Sequence, residues 1–174
     1  YLTAEQIERV LACARLAHWR RVPAIILMGF STGLRLGALQ QMRWRDVDLE
    51  RRRVLTERTK NGRPQVSHLT ERMVEELKKL PGGRAPESLV FCGKKDPLKA
   101  HNFSKAWERA LKDAHVEYMP FHALRHSCAS HAASRGASLV LLKDLLGHKS
   151  LRMVSRYSHL SIDDRAKFVD SVFV

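Results

Sequence analysis

The sequence predicts a mostly helical α+β domain with a small three-stranded antiparallel sheet near its middle. Apolar residues recur at helical spacing at the start of the chain and again after Asn102. Between them, three short strand-like runs cluster at residues 47–69, and two of these flank an Asn-Gly pair. The length of 174 residues suits one domain with a core of its own.

Thr3 and Gln6 form a capping box at the head of the first helix, with Leu2 and Ile7 placed as its hydrophobic staple. Ile7, Val10, Leu11 and Ala14 then mark its buried face. A second, mostly buried helix starts near Pro23 and is broken by Gly33, and a short one covers Leu36 to Met42. The runs "VDL", "RRVLTER" and "PQVSHL" are the three strands, with "KNGR" as the hairpin turn between the last two. Thr70 caps a helix carrying Met73, Val74, Leu77 and Leu80, closed by "PGG". "SLVF" at 88–91 reads as one more short strand. From Asn102 onward the pattern is helical only, with Gly136 and Gly147 as C-terminal caps.

Lys and Arg total 31 against 18 Asp and Glu, a formal charge of +13, and the isoelectric point is near 10.2. Such an excess attracts polyanions, and nucleic acid is the leading partner. The basic residues are spread along the chain, unlike the single basic amphipathic helix of a membrane-surface protein. The longest apolar run, "VPAIILMGF", is nine residues and too short to span a bilayer. Cys13, Cys92 and Cys128 read as reduced thiols of a cytoplasmic protein. No signal peptide is recognisable, and a start at Tyr1 reads as a piece of something longer.

Chemistry-bearing residues fall in one ordered set. "STGLR" places Arg35 just past a glycine break, and Lys60 sits at the lip of the hairpin. "FHALRH" sets His122 and Arg125 three apart, on one face if helical. "LLGHKSLRMVSRYSHL" puts His148 nine residues before Tyr157, with Lys149, Arg152 and Arg156 between them. His126, Cys128 and His131 do not make a metal site, because helical spacing scatters them and neither C-x-x-C nor H-E-x-x-H is present.

Together these motifs resemble the tyrosine recombinase (phage integrase) family, over essentially the whole chain from Leu2 to about His159. The resemblance implies the fold of that family's catalytic domain across residues 1–174 and a site built from Arg35, Lys60, His122, Arg125, His148 and Tyr157. It implies cleavage and rejoining of double-stranded DNA, with no cofactor and no metal. It also implies a homotetramer on DNA for the full-length protein, a monomer for this piece, and the bacterial cytoplasm as its place. His126 and His159 are implied to brace the site by hydrogen bonds rather than to act in it. The family's N-terminal core-binding domain is expected to be absent from this chain.

Each role has a physical reason. Two guanidiniums hold the charge that builds on a phosphodiester's non-bridging oxygens, and His148 adds a hydrogen bond. A phenol titrates near pH 10, so Tyr157 needs a proton acceptor, for which His122 is the candidate, or a positive field that favours phenolate. Lys60 protonates the leaving 5′-oxygen.

Where the family usually has an acid, three residues after the first arginine, this chain has Ala38. Ala123 and Ser127 replace the frequent Asp and Thr around the second arginine. Three other readings stay open: a catalytically impaired DNA-binding domain of the same fold, type IB topoisomerase-like strand relaxation, and a nuclease with His122 and His148 as its acid–base pair.

Overall fold

The computed structural model describes residues 1–56 and 64–161. Lys60, the Asn61-Gly62 turn and the apolar tail from Phe168 to Phe173 lie outside the described residues.

Helix α1 (Ala4–Ala14) starts as its capping box requires. The Thr3 hydroxyl accepts from the Gln6 amide at 3.2 Å, and Gln6 Oε1 accepts from the Thr3 amide at 2.8 Å. α2 (Val22–Thr32) is buried along most of its length and ends at Gly33, whose φ of +63° only glycine adopts freely. α3 (Leu36–Gln41) follows, and a 3-10 turn at Trp44–Asp46 leads into the sheet.

Strands β1 (Val47–Asp48), β2 (Arg53–Thr56) and β3 (Gln65–His68) lie in chain order, each antiparallel to the next. Val54 pairs with Val47 and with Ser67, while Thr56 pairs with Gln65. Thr70 then caps α4 (Glu71–Lys78) by accepting from the Met73 amide.

Ser88–Phe91, expected as a strand, joins no sheet among the described residues. Leu89, Val90 and Phe91 are all buried, so side chains on both faces of this run enter the core. Its backbone is held by single bonds to separate segments, Val90 N–H to the Met42 carbonyl and Leu89 N–H to that of Pro97. Only isolated bridges result, Arg43 with Leu89 and Cys92 with Ala100.

α5 (Ser104–Asp113), α6 (Ala123–Ser134) and α7 (Leu139–Leu145) complete the α-helices among the described residues. The last segments, Leu151–Met153 and Ser155–Ser161, are 3-10 helices. α6 stands between two cores. Leu124 belongs to the main one, with α1, α2, α4 and α5, whereas Ala129 and Ala133 pack with Leu142, Leu146, Val154 and Tyr157. Burial on several sides explains why α6 lacks a single apolar stripe. Among the described residues no helix is long and apolar enough to cross a membrane.

Candidate active site

Three short segments converge on α6. Arg35 sits at the N-terminal cap of α3, two residues beyond the left-handed Gly33. A Cβ at Gly33 would lie 2.7 Å from Leu146 Cδ2, so this turn packs directly against the end of α7. α7 itself closes with a Schellman motif. Gly147 at φ +58° donates to the Asp144 carbonyl, and the His148 amide donates to that of Lys143. That reversal places His148 at the site.

Arg125 locks these pieces together. It is buried, and its guanidinium donates to the carbonyls of Gly33 and Leu146, at 2.5 Å each. Two of its five N–H groups are used this way. The rest have no protein acceptor among the described residues. Burial and the nearby Arg35 push its pKa down to about 10, so it remains a cation at neutral pH.

The histidines are kept neutral. Burial first, then Arg125, Arg35, Arg156 and His122, pushes His148 down to about 4. Its Nδ1 is buried without a hydrogen-bond partner. His122, at the N-terminal cap of α6, has a lowered pKa from desolvation and from Arg125 and Arg35. His126, one turn further on, is lowered by burial, then by His122, Arg156 and Arg125.

Tyr157 is buried in the smaller core, and its hydroxyl lies 2.8 Å from His126 Nδ1. Burial raises the phenol's pKa, against the opposing pull of Arg156 and Arg125. The structure thus brings five of the six expected residues into one electrostatic cluster, with Lys60 outside the described residues. It gives the phenol to His126 rather than to His122, which meets His126 edge-on with 5.0 Å between ring centres.

Among the described residues no acid contributes to these histidine shifts; after burial, the perturbing groups are arginines, a neighbouring histidine and the N-terminal amine. Ala38 lines an open cleft of about 510 Å³ between α3 and β2, alongside Gln41, Arg43 and Arg45. Among the described residues no group of three His, Cys, Asp or Glu side chains is placed to hold a metal ion. A site rich in fixed N–H donors and poor in acids is suited to a phosphate-type anion.

The sequence profile of the phage integrase family matches residues 1–163. The chain belongs to that family. A tyrosine recombinase XerA of Saccharolobus solfataricus is 32% identical over 160 residues, covering 91% of this chain and 52% of that protein. The integrase of Salmonella phage P22 is 28% identical over 165 residues, covering 86% of this chain and 43% of that protein. The chain spans about half the length of these curated relatives. Among solved structures, the catalytic domain of bacteriophage HP1 integrase superposes with a TM-score of 0.78 at 20% identity, covering 99% of this chain and 94% of that one. The tyrosine recombinase catalytic-domain fold expected from the motifs is the fold found.

Two contacts of the site escaped the sequence. His126 was expected to brace, with no sign of which group it meets, and its position one turn after His122 was the available signal. Gln65, at the start of β3, donates from Nε2 to the Leu145 carbonyl at 2.8 Å, and nothing local announces that contact.

Proposed function

We propose that this chain is the catalytic part of a site-specific DNA recombinase, cutting and rejoining strands through a 3′-phosphotyrosyl intermediate. One observation carries the reading: the hydroxyl of a buried tyrosine is held within a cluster of arginines and neutral histidines that no acid among the described residues perturbs.

Arg35 and the unused N–H groups of Arg125 hold the non-bridging oxygens of the scissile phosphate. Neutral His148 adds a donor, and His122 joins from the solvent edge. The Tyr157 oxygen attacks phosphorus as the bond to the 5′-oxygen breaks, and Lys60 gives that oxygen a proton. The phosphotyrosyl bond keeps the energy of the broken linkage, so a new 5′-hydroxyl reverses the attack without ATP. The reading calls for no metal and no cofactor. Its partner is duplex DNA, bound by a homotetramer of the full-length protein in the bacterial cytoplasm. There an N-terminal core-binding domain completes the clamp begun by residues 1–174, while this chain alone is a monomer.

The test is an adduct assay with supercoiled and nicked DNA at low salt. The expected product is an SDS-resistant adduct that mass spectrometry places on Tyr157. Tyr157→Phe abolishes it while leaving DNA affinity nearly unchanged. Free ends without an adduct would support the His122–His148 nuclease. DNA binding without cleavage, even after a clamp domain is fused on, would favour the non-catalytic reading and point to Ala38.

A further inference from the structure

His126 lies outside the six residues expected to act, yet it is the side chain that the Tyr157 hydroxyl meets. Building on the strand-transfer reading, we propose that His126 is the general base of the reaction, receiving the Tyr157 proton on Nδ1 as the phenol oxygen attacks phosphorus. The O–H bond breaks toward the imidazole, the O–P bond forms, and the electron pair of the breaking bond leaves on the 5′-oxygen, which Lys60 protonates. In the return step a 5′-hydroxyl attacks phosphorus and passes its proton to Lys60, while the O–P bond to Tyr157 breaks and the imidazolium returns its proton to the Tyr157 oxygen.

Geometry is the first support. At 2.8 Å the two atoms are within direct transfer distance. The role requires the tautomer in which Nε2 carries the ring proton, so that Nδ1 accepts from the phenol at this distance. His122 makes no hydrogen bond to the phenol among the described residues and meets the His126 ring edge-on.

Position is the second. His126 follows Arg125 directly on α6, so the base and the phosphate-holding guanidinium share one rigid element between two cores. α6 packs against the 3-10 helix that carries Tyr157. A shift of α6 therefore moves base and phosphate site together.

Charge is the third. His126 faces His122 and Arg125 from its own helix, Arg156 from the 3-10 helix, and the amino group of Tyr1 from the start of the chain. Burial first, and then these neighbours, keep the imidazole unprotonated, while burial keeps the phenol protonated. Transfer ahead of attack is then unfavourable. It accompanies bond formation, when charge on the phenol oxygen passes to a phosphoryl group held by the arginines. Without DNA the nucleophile stays a neutral phenol.

The experiment measures single-turnover adduct formation on nicked and supercoiled DNA across about pH 5.5 to 9. Wild type, His126→Ala, His126→Asn and His122→Ala are compared, with DNA affinity measured for each. Wild type is expected to lose rate toward low pH as the base is protonated. His126→Ala slows by roughly 10²–10⁴-fold, loses that acid limb and recovers with added imidazole. His126→Asn can still hydrogen-bond but lacks a base, and it stays slow with unchanged affinity. A His126→Asn variant near the wild-type rate with the acid limb intact would mean His126 only braces the phenol. An acid limb lost in His122→Ala and kept in His126→Ala would move the base to His122. A wild type that forms no adduct overturns the strand-transfer reading itself, and this role with it.

Discussion

The guanidinium of Arg125 donates to the main-chain carbonyl of Leu146, the residue just before the Gly147-His148 turn. Its other arm takes the Gly33 carbonyl, two residues before Arg35. The residue proposed to grip phosphate is thus also a strut between the turns that present its two neighbours.

Arg125→Ala is therefore expected to lose stability as well as cleavage. It leaves two carbonyls at a buried joint without their charged donor, a cost of about 3 kcal/mol or more. Arg125→Lys restores the charge without the planar fork, so it regains part of the stability and little of the cleavage. Urea unfolding beside the adduct assay separates the two effects. An Arg125→Ala protein as stable as wild type would remove the strut.

That double role marks the boundary of what the sequence could tell. The capping box of α1, the Thr70 cap and the glycine stops are local, written within three or four residues, and all were legible. So were the three strands, through their β-rich runs. Ser88–Phe91 was misread because a short apolar run looks the same whether it joins a ladder or is pinned singly inside a core. The contacts of Arg125 lie 92 and 21 positions away, and that of His126 lies 31 away. Spacing named the residue types for the chemistry, but only packing showed which of them touch.

Gly147 offers a second test, of the end of α7. Its left-handed φ of +58° penalises any Cβ by roughly 1–2 kcal/mol. A Cβ there would also overlap the amide oxygen of Gln65. To make room, Gln65 must give up its bond to the Leu145 carbonyl, worth about 1 kcal/mol. Gly147→Ala is expected to lose about 2–3 kcal/mol alone and only the backbone part in a Gln65→Ala background. Urea midpoints of the four proteins test this, and strict additivity would mean that Gln65 does not press on the turn.

Stability is expected to fall with acidity earlier than carboxylates alone would cause. His148 titrates near 4 in the folded protein against an ordinary value of 6.5, and His122 and His126 shift the same way. As pH drops below about 6.5 the unfolded chain takes up protons that the folded one refuses, so unfolding is favoured. The histidine contribution is complete above 6.5 and is lost as pH falls toward 4. Urea midpoints between pH 7.5 and 4.5 should decline, and His148→Gln should flatten the decline. A midpoint constant over that range would contradict the neutral-histidine cluster.

Ser127 ties the start of the chain to the site helix. Its hydroxyl accepts from the buried Leu2 amide at 2.8 Å and donates to the Ala123 carbonyl one turn back. The Leu2 carbonyl meets His131 Nε2 at 3.0 Å, so both polar groups of one backbone residue are satisfied by side chains of α6. This explains a hydroxyl at a fully buried position, since only such a side chain can accept and donate there at once. Ser127→Ala strands a buried N–H and should lose about 1–3 kcal/mol. Ser127→Thr keeps both bonds and is expected to stay within about 1 kcal/mol of wild type, the added methyl being its only new demand. Hydrogen exchange at the Leu2 amide reads the contact directly: it should accelerate in Ser127→Ala and hold in Ser127→Thr. Equal exchange in all three proteins would mean that Ser127 does not anchor Leu2.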